Sequence, residues 1–301
     1  MAARPQGDLY AQELALLHKH FTEKEIQKVI QYSDNELVSK YYKMNIRFYR
    51  RIVSSEGFMH FSIDGDLHAQ VKFIEQIVRT QLKTGAKVLE LGAGNGANSN
   101  WLARRNPEID FLATDLMNLG LPDKAPNHTQ ILADYHDLAQ VPDHSFDAAF
   151  AIETVCYSGD LETVFRTVGK KLKPGAPFIL FDSYCKEPSQ MTDEEKYVDA
   201  ICVRAMAVNS FSSLNHLRSM ATKHKEFELA DECDITDAVI PFADYLLQKG
   251  LRLLENKALK FRIARMLLPL EIKKNAITAI LSSPTLKKRL YVYARHVFVR
   301  Q

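Results

Sequence analysis

Two short stretches hold the residues best able to do chemistry. The first is Glu90-Leu91-Gly92-Ala93-Gly94-Asn95-Gly96-Ala97, a carboxylate followed by three alternating glycines. Glycines are needed where a strand turns sharply into a helix and where a ligand meets bare backbone. Gly92, Gly94 and Ala97 also fit the dinucleotide fingerprint G-x-G-x-x-[G/A]. Three features turn the reading away from a nicotinamide dinucleotide. Glu90 suits a cationic ligand group better than a pyrophosphate. Asp115 follows Gly96 by 19 residues, at a strand end where a carboxylate accepts two ribose hydroxyls. Asp134, in Leu-Ala-Asp-Tyr-His, is placed to accept from an adenine amino group, and the loop itself contains no Lys or Arg to pair a phosphate. The second stretch is Ile152-Glu153-Thr154-Val155-Cys156-Tyr157, a carboxylate at the end of an apolar run.

The elements that must position these groups follow from pattern. Residues 8–82 read mostly as helices, and Thr22 with Glu25 has capping-box spacing. From Lys87 the chain alternates. Short apolar strands appear at "AKVLEL", "DFLATDL", "TQILADY", "FDAAFAIET" and "PFILFDSY", and helices at "ANSNWLARRN" and "LETVFRTVGKKL". Such alternation implies parallel βαβ units with helices on both faces. After Tyr184 the rhythm breaks into helical stretches, a sixth strand at "EFELADECDIT", a helical insertion over 238–284 and a last strand at "RLYVYARHVFVRQ". The expected fold is α/β, a Rossmann-like, mostly parallel seven-stranded sheet with a helical N-terminal segment and a helical substrate cap. Three parts are expected: an N-terminal helical segment (1–82), a cofactor-binding core (83–184), and the remaining strands with cap insertions (185–301).

The glycine loop with Asp115 and Asp134 resembles the class I S-adenosylmethionine-dependent methyltransferases, whose E-x-G-x-G-x-G opens the cofactor site. The resemblance covers 86 to about 184, and "LKPGAPFIL" is similar to the family's "LKPGG" turn, with Ala176 in place of the second glycine. It implies S-adenosylmethionine as cofactor. It puts Glu90, Gly92, Gly94 and Gly96 near the methionine moiety, Asp115 on the ribose, and Asp134 with Tyr135 beside the adenine. Leu116 and Ile152 join the cofactor-binding set. The segment 38–63, with Tyr41-Tyr42, Phe48-Tyr49, Gly57 and His60-Phe61, and the stretch 146–175 look like the sterol methyltransferase branch. The family's I-E-A-T-C-H run has its glutamate here as Glu153, and Tyr157 replaces the histidine. Methyltransferases of prenyl diphosphates and of small amines share parts of this pattern.

That branch implies C-methylation of an isoprenoid or sterol-like alkene through a carbocation; the alternative is N- or O-methylation of a small amine or phenol. An alkene is a weak nucleophile and must meet the methyl in line at about 3–3.5 Å, with water excluded. Aromatic faces and a carboxylate stabilise the cation, and a base then removes a proton. Tyr42, Phe48, Tyr49, Phe58 and Phe61 are the expected aromatic wall, with Tyr245 from the cap. Glu153 is the expected carboxylate, and His60 and Tyr157 are candidate proton acceptors, with Tyr49 in the catalytic set. His216 and His296 are assigned to structure, and His136 and Asp137 to a surface loop.

Composition bounds the rest. With 46% hydrophobic and 25% charged residues the chain reads as a globular protein. No apolar run approaches a membrane span of about 20 residues, and the N-terminus lacks a secretory h-region, so a cytoplasmic protein is expected. The four cysteines form no CxxC, which predicts free thiols and no metal site. Lys249 to Gln301 holds thirteen Lys and Arg against two acids. That basic region reads as a solvated helix face, a peripheral contact with anionic membrane, or a grip on an anionic substrate group. No nucleic-acid-binding motif is present, and a homo-oligomer stays open.

Overall fold

The computed structural model describes residues 9–31, 54–117, 120–121, 123–208, 210–223, 225–256 and 270–301. A seven-stranded sheet runs through them in the order β3-β2-β1-β4-β5-β7-β6. Its strands are β1 (Lys87–Leu91), β2 (Asp110–Asp115), β3 (His128–Leu132), β4 (Ala148–Ile152), β5 (Pro177–Cys185), β6 (Phe227–Asp234) and β7 (Tyr291–Arg300). The first five pair in parallel, while β7 lies antiparallel to both β5 and β6. The chain order reverses between β1 and β4. In open α/β sheets, ligands bind outside the strand C-termini at such a switch point, and there β1 ends in the glycine loop and β4 in Glu153.

Both faces of the sheet are buried, so its central strands are apolar on alternate residues of each face. Phe178 and Leu180 pack on one side, Ile179 and Phe181 on the other. Each such buried side chain contributes roughly 1.5–3 kcal/mol. One face carries α5 (Leu161–Lys171) and α7 (Leu214–Thr222). The other carries α1 (Ala11–His20), α2 (Glu23–Gln31), α3 (Ala69–Gln81), α6 (Asp193–Ala205) and α8 (Thr236–Leu254). The helix α4 (Ala97–Arg105) follows β1, and α9 (Leu270–Lys287) packs along α8.

Local chemistry accounts for several boundaries. Thr22 and Glu25 form the reciprocal cap of α2, with Thr22 N donating to Glu25 Oε2 at 2.9 Å and Glu25 N to Thr22 Oγ1 at 3.3 Å. Thr192 and Glu195 cap α6 in the same way. Asp160 caps α5 through Thr163 N. Gly175 takes φ +81° in the turn before β5, while the next residue, Ala176, is buried without a positive φ. A second glycine is therefore not needed in that turn. The edge strand β6 carries Glu228, Asp231, Glu232 and Asp234, which blunt edge-to-edge pairing. Among the described residues, no helix is long and apolar enough to cross a membrane, and the four cysteines are free.

Candidate active site

The loop after β1 holds Gly92, Gly94 and Gly96 at φ of +57°, +59° and +81°. The three need glycine for different reasons. A Cβ on Gly92 would lie 1.8 Å from Thr154 Oγ1, a rigid neighbour on the loop after β4. One on Gly94 would lie 2.5 Å from Met59 Cε, and one on Gly96 would lie 3.1 Å from Gln130 Oε1. Asp115, at the end of β2, ties the loop down: its Oδ2 accepts from Gly94 N at 2.7 Å and its Oδ1 from Met117 N at 2.8 Å. Burial pushes the Asp115 carboxyl above its ordinary range, against those donors.

A cavity opens over this loop. It is lined by Gly92, Gly94, Asp115, Leu116, Asp134, Tyr135 and Ile152, with Asn98, Glu153, Thr154 and the strap Gly57–His60. Seven of the nine expected cofactor residues thus surround one space. Glu90 and Gly96 do not line it. Glu90 is 1% exposed and points at the start of α4, where its carboxyl accepts from Asn98 Nδ2 at 3.1 Å and Ser99 N at 3.2 Å. Burial lifts its pKa to about 7, and the charge of Asp115 adds to the effect. Its place is one layer behind the cavity wall, where it caps the helix. Gly96 is the N-cap of α4, in the left-handed region.

Asp134 and its neighbours depart from expectation in one respect. His136 is not a plain surface residue; it lines the cavity, and its Nδ1 lies 2.7 Å from Asp134 Oδ1 and its Nε2 2.8 Å from Ser158 Oγ. The Tyr135 hydroxyl donates to the Thr154 carbonyl at 3.2 Å, and its ring packs on His136. Leu116 is 64% exposed, an apolar side chain held out at the mouth.

A second cavity adjoins the first, and Met59, His60, Glu153 and Tyr157 line both. Its walls are Phe61, Met206, Val208, Phe211, Phe242 and Leu246, with Cys156, Asp182, Ser183, Thr278 and Ser282 as its polar groups. Glu153 takes φ +50° just after β4, a strained conformation for a glutamate. Its Oε1 accepts from Phe61 N at 2.8 Å. Burial lifts its pKa to about 8; the Phe61 amide and the Tyr293 hydroxyl oppose that, and Asp182 adds to it. Asp182 is raised to about 6 by burial, although it accepts from Ser183 N at 2.8 Å and Cys156 N at 2.9 Å. His60 is 4% exposed, and burial lowers its pKa.

The expected aromatic wall divides. Phe61 lines the second cavity, whereas Phe58 lines the first and stands edge-on to His60 and His68. Tyr245 lines neither; it is 40% exposed and stacks on Phe242, which takes the wall position expected of it. Tyr42, Phe48 and Tyr49 lie outside the described residues. Met59, Asp182, Phe211 and Phe242 were not expected. They come from elements whose apolar patterns look like ordinary core, and only the strand-end position of Asp182 hints at a site.

The acidic, glycine-lined cavity fits a ligand that carries positive charge and no phosphate: among the described residues its lining contains Asp115, Asp134 and Glu153, and no Lys or Arg. Residues 89–180 match the family model described as a methyltransferase domain. The match runs from β1 into β5 and holds the glycine loop, Asp115, Asp134 and Glu153. A sterol methyltransferase-like 3 protein of Botryococcus braunii is 34% identical over 39% of this chain and 31% of its own length. A phosphoethanolamine N-methyltransferase 3 of Arabidopsis thaliana is 28% identical over 50% of this chain and 30% of its own length. The matched part thus spans about a third of these curated relatives. Phosphoethanolamine N-methyltransferase 2 of Haemonchus contortus, solved with S-adenosyl-L-methionine, shares the fold at a TM-score of 0.65, with 16% identity, 90% of this chain and 60% of that one.

Proposed function

We propose that the protein transfers the methyl group of S-adenosylmethionine to carbon in a lipophilic, isoprenoid or sterol-like alkene. The observation that carries this reading is Glu153, a carboxyl at the junction of a glycine-lined cavity and an aromatic one. When bound, the cofactor supplies an electrophilic methyl on a sulfonium. In this reading Gly92, Gly94, Asp115 and Asp134 would hold it, beside Met59, His60, Glu153 and Tyr157, which line both cavities. The strap Gly57–Phe61 excludes water. Phe61, Phe211 and Phe242 turn aromatic surface toward the acceptor, where a developing cation gains from ring quadrupoles. Glu153, ionised, stabilises that cation and takes the proton that leaves.

The second reading is N-methylation of a small amine. The relatives favour it to a comparable degree, since phosphoethanolamine N-methyltransferases match the chain as well as sterol methyltransferase-like proteins do. The two part at Glu153. An amine already has a lone pair and needs mainly positioning and deprotonation. Glu153→Gln is expected to lower alkene methylation by about 10²–10⁴-fold while S-adenosylhomocysteine binds within a few-fold of wild type. The measurement is labelled-methyl transfer to isoprenoid, sterol and amine panels, with calorimetry of the same samples. Transfer to an amine that survives Glu153→Gln selects the second reading.

A further inference from the structure

A hydrogen-bonded chain crosses the wall shared by the two cavities and joins two buried carboxyls. Asn98 Nδ2 donates to Glu90 Oε1 at 3.1 Å, and Asn98 Oδ1 lies 3.1 Å from His60 Nε2. His60 Nδ1 is 3.0 Å from the Phe61 carbonyl, and Phe61 N donates to Glu153 Oε1 at 2.8 Å. Both nitrogens of His60 therefore face oxygens, which leaves it no lone pair directed at an acceptor's proton.

Donor counting restricts this chain. A carbonyl can only accept, so His60 Nδ1 carries hydrogen. In a neutral imidazole Nε2 is then bare and needs a donor, which Asn98 Oδ1 is not. Two arrangements satisfy every link. With Glu90 ionised, Asn98 gives its NH₂ to Glu90 and its oxygen to a doubly protonated His60. With Glu90 protonated, the amide turns over; its oxygen accepts from the Glu90 hydroxyl and its NH₂ donates to bare Nε2. The proton lost at Glu90 and the proton gained at His60 balance. The other titratable groups facing the pair are His68 beside His60 and Asp115 beside Glu90, where Ser99 adds neutral hydrogen bonds.

We propose that Glu90 is a positioning residue that acts through Asn98 on His60, so that the charge on Glu90 sets the charge on His60 and its grip on the Phe61 peptide. Phe61 is the residue that Glu153 holds from its other side, so the relay joins the base of the glycine loop to the methyl passage. Burial favours the second arrangement near neutral pH, since it lifts Glu90 to about 7 and holds His60 low. The inference rests on the proposed function only in taking the strap as the wall between cofactor and acceptor.

The test is a ¹⁵N-histidine NMR titration of the full chain, with the His60 signal assigned through His60→Gln. In wild type the Asn98 amide is expected to turn away from bare Nε2 as Glu90 loses its proton near pH 7, a step in the His60 signal that Glu90→Gln, with no proton to lose, is expected to abolish. Asn98→Ala cuts the relay at a position where Ala favours helix, and there the step is expected to be lost although Glu90 still titrates. A step that persists without Asn98 would reduce the effect to a plain charge field and overturn the relay, as would no step in wild type. If Glu90→Gln does not fold, the mirror cycle serves: His60→Gln, read at the Glu90 carboxyl by infrared, must shift it only while Asn98 is present. Calorimetry with S-adenosylhomocysteine on these samples reports separately on the cofactor reading.

Discussion

Glu153 sits in an unfavourable backbone conformation and an unfavourable environment at once: φ +50°, and burial that lifts its pKa to about 8. Each costs free energy, and a carboxyl kept in both is placed for a task. The sign of its pH dependence follows. In the proposed role of base and cation stabiliser it must be ionised, so activity is expected to rise with pH until Glu153 has lost its proton. The expected profile of kcat/KM climbs to a plateau with a midpoint near 8. Tyr293→Phe removes a hydroxyl that favours the charged form and keeps the ring that packs on Phe61. It should move that midpoint upward. A profile that falls through this range would mean that the protonated acid is the working form.

At the scale of elements, the glycine loop and the strand ends make a register of fixed contacts. Gly92 and Gly94 share a left-handed φ but not a neighbour. An alanine at either pays roughly 1–3 kcal/mol in backbone strain. At Gly92 the new methyl also meets Thr154, including its Cβ at 2.7 Å, so the β1 and β4 loops must separate. At Gly94 it meets only the tip of the flexible Met59. Gly92→Ala is therefore expected to be the more destabilising in chemical denaturation. Gly94→Ala should leave most of the stability and weaken S-adenosylhomocysteine binding, read by calorimetry. The loop itself was legible in the sequence because glycine at positive φ has few substitutes. The direction in which each glycine faces was not, because Thr154, Met59 and Gln130 reach it from distant parts of the chain. Glu90 shows the same limit. Its spacing before Gly92 suggested a ligand contact, and only the fold shows that Asn98 and Ser99 take its oxygens. The sheet was legible for the opposite reason, since two-sided burial writes apolar strands and their intervening helices directly into local pattern. The cap was legible as helix but not as wall: nothing in the spacing of α8 separates Phe242, which lines the cavity, from Tyr245, which does not.

For the whole molecule, the raised carboxyls make stability a function of pH with an unusual slope. Glu153, Glu90 and Asp182 have folded values of about 8, 7 and 6, against about 4 in an unfolded chain. Between these limits the folded state binds more protons than the unfolded one, so stability declines as pH rises. The contribution is whole below about pH 4 and lost by about pH 8. His128 and His296 act oppositely, since burial lowers both to about 4. Their contribution grows as pH rises from about 4 to about 6.5 and is flat thereafter. Above pH 6.5 the carboxyls continue to lose protons, and the thiols of Cys156, Cys185 and Cys202, pushed up by burial, add to the decline as unfolded thiols ionise near about pH 8.5, so Tm is expected to fall between pH 6.5 and 8.5. Glu153→Gln removes the carboxyl that titrates last, and its curve should fall less steeply than that of wild type between pH 7.5 and 8.5. A Tm that rises over this interval in wild type, or the same slope in both proteins, would place the protons elsewhere. The same bookkeeping links folding to the cofactor. A cationic ligand in the first cavity favours the ionised forms of the carboxyls around it. Its Kd should therefore be lower at pH 8 than at pH 6, and at one fixed ligand concentration it should raise Tm more at pH 8, because it offsets the like-charge cost that appears as they lose their protons.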